Sequence, residues 1–202
     1  MDQAPEPYKK WLESEIKYLK ETINKDASVL DIGCGGGRVL EVLYGVTKNM
    51  VGIDHDEEAI KLAKKNLGKY PEIKLLLAKA EKLPFEDNSF DFVICIGTLS
   101  NLGDVKIQAL NEMKRVVKKE GIIIVSCYAE DAFEERMKVY KQVNAPIKEI
   151  KGTTVLFDEQ VGDNTSEQFS KEELEQMFND VNLEITEIKK FGIGYDCKLR
   201  KK

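Results

Sequence analysis

One histidine, His55, and one tryptophan, Trp11, stand among 202 residues. A lone histidine excludes a multi-histidine metal site, and no Ser/His or Cys/His hydrolase pairing is evident. The four cysteines (Cys34, Cys95, Cys127, Cys197) are scattered singly with no C-x-x-C pair, which argues against zinc. Three of them lie in apolar runs and read as buried, reduced thiols of a cytoplasmic protein. No apolar stretch approaches the roughly 20 residues of a membrane helix. The opening Met-Asp-Gln-Ala-Pro-Glu-Pro lacks the basic and apolar regions of a secretory signal. A basic excess is lacking too: 31 Lys+Arg face 36 Asp+Glu, a net charge of −5, which argues against a broad nucleic-acid-binding surface. Repeats, low-complexity tracts and interdomain linkers are absent, so residues 1–202 read as a single domain.

What is present is a rhythm. Apolar runs at Val29–Ile32, Met50–Ile53, Ile73–Leu77, Phe92–Ile96 and Ile122–Val125 predict five strands, continuous enough for burial on both faces. Helical spacing fills gaps between them. Ala59, Ile60, Ala63 and Leu67 share one face of a helix that Gly68 can close. Leu110, Met113 and Val117 line another, predicted to end at Lys118-Lys119-Glu120-Gly121. Strand and helix alternating at this pitch mean a parallel α/β sheet. Before the first strand, residues 8–24 predict an amphipathic helix with Leu12, Ile16, Leu19 and Ile23 as its core stripe. Tyr8, Trp11, Glu15 and Tyr18 form a second stripe beside it. After the fifth strand, Phe133, Met137 and Tyr140 suggest a helix, and residues 147–169 form an insert with a strand near 153–157. Ser170-Lys-Glu-Glu173 is a capping box. Two late strands, Leu183–Phe191 and Tyr195–Leu199, flank Gly192-Ile-Gly194 as a three-residue hairpin loop.

The segment Val29-Leu-Asp-Ile-Gly-Cys-Gly-Gly-Gly-Arg38 carries the most chemistry. A strand enters a four-glycine turn and leaves as a helix, a place where backbone approaches a ligand. Asp31 sets a carboxylate where a dinucleotide would place its pyrophosphate, which favours a nucleoside with a cationic, phosphate-free tail. Arg38 stands where G-x-G-x-x-G needs its third glycine. Asp54 ends the second strand, 21 residues after Gly33, and can accept both hydroxyls of a ribose or cap the following helix. Ligands of open parallel sheets bind at the carboxyl ends of strands. Those ends also bring Ala78–Glu81, Gly97–Asn101 and Ser126–Tyr128.

Taken together, Val29–Gly37, Val51-Gly-Ile-Asp-His-Asp56, Ala80-Glu-Lys-Leu-Pro-Phe85 through Phe90-Asp-Phe-Val-Ile-Cys95, and Val116–Val125 resemble the class I S-adenosylmethionine-dependent methyltransferases. The resemblance runs from about residue 26 to the end. It implies a three-layer, Rossmann-like α/β fold: a seven-stranded sheet in order 3-2-1-4-5-7-6, the last strand antiparallel, with helices on both faces. It implies S-adenosyl-L-methionine as cofactor and S-adenosyl-L-homocysteine as product. By that resemblance Asp31 holds the methionine amino group, and Gly33, Gly35 and Gly37, with Cys34 between them, pass under the cofactor. Asp54 takes the ribose, with His55 in the turn beside ribose or adenine. Ala80 and Glu81 lie by the adenine, and Ile96 and Gly97 by the methionine moiety. Lys79 departs from the family, which often carries an acidic residue there to accept the adenine amine; lysine only donates.

For the acceptor, the resemblance points to Tyr8, Trp11, Asn101 and Tyr128, with Arg136, Tyr140, Gln168 and Phe169 nearby; the aromatic helix stripe reads first as ordinary packing, since helical aromatics usually bury area. Asn101 suits a turn that caps the next helix as well. No residue is singled out as a general base. The turn after the fourth strand lacks the Asn/Asp-Pro-Pro-Tyr/Phe motif of nucleic-acid amino methyltransferases, and no acidic set matches catechol-type or polyamine enzymes. A small-molecule acceptor methylated on N, O or C by a monomer or homodimer is the reading. RNA or protein methylation, or a non-catalytic cofactor-binding module, are the alternatives.

Overall fold

The computed structural model describes residues 5–158 and 165–202, so the insert is described only in part. Apolar runs centre each strand: β1 Val29–Ile32, β2 Met50–Asp54, β3 Lys74–Leu77, β4 Phe90–Ile96 and β5 Val117–Tyr128. Between and around them lie helices α1 Glu6–Thr22, α2 Arg38–Leu43, α3 Glu57–Asn66 and α4 Lys106–Val116. The chain continues through α5 Phe133–Gln142, strands β6 Ile147–Lys151, β7 Thr154–Phe157 and β8 Thr165–Ser166, then α6 Lys171–Asp180, β9 Leu183–Phe191 and β10 Gly194–Lys201. The main sheet runs β3-β2-β1-β4-β5-β10-β9, and β6-β7-β8 form a small separate antiparallel sheet. Counted within the main sheet, this is the expected order 3-2-1-4-5-7-6. Its last strand, β10, is antiparallel to both neighbours.

Side chains alternate across the sheet, so β1, β4 and β5 each feed two cores. Val93 and Cys95 of β4 pack with Leu110, Met113 and Phe178 on one face. Phe92, Ile94 and Ile96 pack with Leu19, Leu40, Leu43 and Ile60 on the other. Each such side chain, fully buried, contributes about 1.5–3 kcal/mol against the chain entropy lost on folding. Because Leu30 and Ile32 point to the first core, Asp31 between them points toward the layer of α1, α2 and α3.

Several local expectations are corrected. In α1 the buried face is Trp11, Glu15, Tyr18 and Leu19, while Leu12 and Ile16 are only half-buried. The aromatic stripe is the packing face: Trp11 lies against Tyr128, and Tyr18 donates to Glu187 of β9 at 2.6 Å. Lys118, Lys119 and Gly121 belong to β5 rather than to a helix end. Phe90 pairs with Val117, and a register shift then carries Phe92 to Ile122; Lys118 ties across to Asp91 at 2.8 Å. β3 is an edge strand whose Leu76 and Leu77 are 40% and 56% exposed, so it is not buried on both faces. Helix α3 closes at Leu67, and Gly68 does not take the left-handed conformation. Gly194 pairs with Phe191, so the late hairpin turns on two residues, Gly192-Ile193. The capping box at Ser170 and Glu173 forms as read from the sequence.

No helix among the described residues is long and apolar enough to cross a membrane.

Candidate cofactor site

A cavity of about 600 Å³ opens at the carboxyl ends of β1 to β4. Its walls come from four places. Ile32, Gly33 and Gly35 leave β1; Ile53, Asp54 and His55 leave β2; Ala78 to Glu81 follow β3; Ile96, Gly97 and Thr98 follow β4. A 3₁₀ stretch contributes Asn101 to Val105. The expected Gly33, Gly35, Asp54, His55, Ala80, Glu81, Ile96, Gly97 and Asn101 are thus brought together. Sequence reasoning missed Leu102 to Val105; the signal was Gly103, which takes φ +50 in that turn.

Glycine is required at the turn for physical reasons. Gly33 has φ +72, and a Cβ there would overlap the Thr98 side chain. Gly37 has φ +86 and starts α2, where a Cβ would press on Leu67. Gly37 therefore shapes the turn rather than lining the cavity. Cys34 does not line it either: its thiol is buried beside Gly52, and desolvation raises its acid well above the ordinary range. The turn is held by the Gly33 and Cys34 amides, which both donate to the Ile53 carbonyl at 2.9 Å. Asn66 of α3 adds a bond to the Gly36 carbonyl at 2.9 Å.

Asp54 is the hinge between the turn and β2. Its Oδ2 accepts the Gly35 amide at 2.8 Å and its Oδ1 the Asp56 amide at 3.0 Å, with His55 Nδ1 at 3.5 Å from Oδ1. The helix cap itself is Asp56, whose Oδ1 accepts the Glu58 amide. Each Asp54 oxygen keeps a further lone pair for a ligand hydroxyl.

Asp31 is 1% exposed and its Oδ2 has no hydrogen-bond partner. Burial pushes its acid up to about 7, the Arg38 guanidinium pulls it down, and Asp54 and Glu15 raise it further. Burial thus works against the negative charge expected at Asp31, and Arg38 works for it. A buried carboxylate with an unsatisfied oxygen is costly, and a ligand ammonium would satisfy it.

Lys79 is largely exposed and lies 3.9 Å from Glu81, on the cavity rim. Glu81 is the acidic group at that edge.

Arg38 donates to Glu15 Oε2 at 3.0 Å, and Glu15 Oε1 accepts the Ser126 hydroxyl at 2.6 Å. The Ser126 Oγ accepts the Gly97 amide at 2.9 Å. Sequence reasoning placed Glu15 in a helix stripe and Arg38 as a missing glycine, and had no signal that joined them.

Of the acceptor candidates, Asn101 lines the cavity. Trp11 is buried, with its indole where a side chain on Gly194 would lie, and so is no open contact surface. Tyr8 and Tyr128 join it in a small aromatic core. Arg136, fully buried, stacks on Tyr128 and donates to the Thr153 and Ser166 carbonyls, Ser166 Oγ and Gln168 Oε1. Tyr140 donates to the same Ser166 Oγ. A second groove of about 520 Å³ lies between the 3₁₀ stretch and the small sheet, lined by Lys148, Lys151, Leu156, Phe157 and Thr165. It shares Gly103 and Asp104 with the first cavity.

A family profile described as a methyltransferase domain matches residues 30–125. An uncharacterized protein of Methanocaldococcus jannaschii is 33% identical over 158 residues, covering 71% of this chain and 72% of that protein. The demethylmenaquinone methyltransferase of Staphylococcus aureus is 33% identical over 143 residues. That match covers 69% of this chain but only 56% of the longer relative. Among solved structures, a SAM-dependent methyltransferase of Methanosarcina mazei superposes with a TM-score of 0.70 at 23% identity, over 91% of this chain and 96% of that one. Strand order, the glycine turn with Asp31 and Asp54, and these likenesses agree: the chain belongs to the class I S-adenosylmethionine-dependent methyltransferases.

Proposed function

We propose that the protein transfers the methyl group of S-adenosylmethionine to a nitrogen, oxygen or carbon of a small-molecule acceptor. The observation that carries the reading is the buried Asp31 carboxylate, unpartnered at Oδ2, which does not itself line the cavity but stands two residues before a glycine turn that Asp54 latches through the Gly35 amide. These residues fit the cofactor: Asp31 would accept its amino group, Asp54 its ribose hydroxyls, and the turn at Gly33 and Gly35 would admit it without side-chain clash. His55, Ala80 and Glu81 stand at the nucleoside end, and Ile96 and Gly97 at the methionine end. Bound there, the cofactor supplies an electrophilic methyl on a sulfonium. The chain's own work is positioning and exclusion of water, and that accounts for much of the acceleration of an in-line displacement. A general base is needed only for an acceptor that arrives protonated.

The groove that meets the cavity at Gly103 and Asp104 is the acceptor's route in this reading. It is of a size that holds a drug-sized molecule. Leu156 and Phe157 offer it apolar contact, and Lys148 and Lys151 stand on its wall. The net charge of −5 and the relative named for demethylmenaquinone support a small acceptor over RNA. The four buried free cysteines suit a cytoplasmic setting.

Calorimetry with S-adenosylhomocysteine tests the cofactor half, with Asp31→Ala as control; no binding by the unaltered protein sinks it. Labelled-methyl transfer into a fractionated cell extract tests the acceptor half. Label found only in macromolecules would replace the small-molecule reading by RNA or protein methylation, and binding without any transfer would favour a non-catalytic module.

A further inference from the structure

Glu15 stands on α1, outside the sheet, and bonds Ser126 across 111 positions of sequence. It is 1% exposed in the middle of α1, among Trp11, Tyr18 and Leu19. An apolar residue would fill that space at lower cost, because burying a carboxylate is expensive unless its partners repay it. Both of its oxygens are used, and the two partners stand on different elements, α2 and β5. Oε2 takes the guanidinium of Arg38, the first residue after the glycine turn. Oε1 takes the proton of Ser126, at the end of β5.

Ser126 extends the connection. Its single hydroxyl proton goes to Glu15, which leaves its lone pairs to accept the Gly97 amide at 2.9 Å; its carbonyl accepts the same amide at 3.1 Å. Donation to a charged acceptor polarises the hydroxyl and strengthens the bond it accepts. Gly97 has φ +70 and lines the cavity beside Gly33, where Thr98 Oγ1 reaches the Gly33 carbonyl at 3.3 Å. One carboxylate thus governs the turns after β1 and β4.

We propose that Glu15 is a positioning residue for methyl transfer: through Arg38 on one side and Ser126 on the other, it sets the orientation of the Gly97 amide and of the glycine turn beside it. This rests on the reading of that cavity as the cofactor site. Glu15 touches no reacting atom.

The test uses the full chain and S-adenosylhomocysteine, with Glu15→Gln, Ser126→Ala and the double variant. Three quantities are measured: affinity by calorimetry, the unfolding midpoint, and the amide resonance of Gly97 by NMR. Loss of a charge-assisted partner predicts about tenfold or greater weakening of binding in each single variant. The Gly97 resonance should move in both. The double variant should lose no more than the worse single one, since both act along one path. Unaltered affinity in Glu15→Gln, or a Gly97 resonance that does not move, overturns the proposal. Should Glu15→Gln fail to fold, Ser126→Ala decides, because it leaves the ion pair in place and removes only the link to Gly97; wild-type affinity there also overturns it. Failure of the unaltered protein to bind would instead overturn the cofactor reading, and this proposal with it.

Discussion

The Gly35 amide donates to Asp54 Oδ2 at 2.8 Å, so the glycine turn after β1 is latched to the end of β2 by the group assigned to the ribose. Removing that carboxylate therefore does two things at once. Asp54→Ala is expected to weaken S-adenosylhomocysteine about 10- to 100-fold, the worth of one to two bonds to a charged acceptor. Asp54→Asn, which keeps one oxygen, should fall between. Titration calorimetry reads both, and an alanine variant with unchanged affinity would remove Asp54 from the site.

Gly33→Ala forces a left-handed backbone on a residue with a Cβ that meets Thr98. A loss of about 1–3 kcal/mol in stability is expected from the backbone alone, measured by denaturant unfolding. Adding Thr98→Gly should relieve the overlap and leave the backbone part. Full recovery in the double variant would show that φ at this position costs nothing.

The cofactor-free protein should lose stability as pH rises from about 4 to 8. Burial raises the acid of Asp31 to about 7 and of Asp196 to about 8. Over that window the folded chain holds protons that the unfolded chain, with ordinary carboxylates near 3.9, has released, so rising pH favours unfolding. Asp91 works the other way. Against the cost of its desolvation, bonds from Lys118 and Ser28 hold its acid down at about 2, and its contribution is lost only as pH falls below about 4. Thermal midpoints across pH 3 to 9 should peak near the acid side, and Asp31→Asn or Asp196→Asn should flatten the fall. A profile that rises toward pH 8 contradicts this assignment.

Arg136 pins the small sheet to α5 through bonds to Thr153, Ser166 and Gln168. Arg136→Ala should cost about 3 kcal/mol, as loss of several buried bonds does, and lysine cannot replace the planar fork. Limited proteolysis should then cut within residues 147–169 much faster. S-adenosylhomocysteine binding should persist, since the first cavity does not include this residue. Equal loss of both would mean that the small sheet supports the cofactor cavity as well.

The glycine turn, Asp54 and the strand pitch were legible because backbone chemistry leaves a local mark: glycines where φ is positive, apolar runs where strands are buried. The capping box at Ser170 was legible for the same reason. What escaped was non-local. Glu15, a charge on the buried face of α1, made the wrong stripe look apolar, and only Arg38 and Ser126, far off in sequence, explain it. Lys118-Lys119-Glu120-Gly121 resembles a helix end, but the pairing of Phe90 with Val117 makes it strand. The exposure of Leu76 and Leu77 follows from β3 lying at the sheet edge, a matter of topology invisible in the run itself.

Trp11 closes against Gly194, at opposite ends of the chain. A ribosome adding about 5–20 residues per second makes α1 first and β10 roughly 10–40 s later. Through that interval the helix carries an uncovered indole and a carboxylate whose partner Ser126 is made well before Gly194. The seam between α1 and the late hairpin is therefore the last part of a newborn chain to become solid, and a fusion at the N-terminus that delays α1 in docking would be felt there before it is felt at the glycine turn.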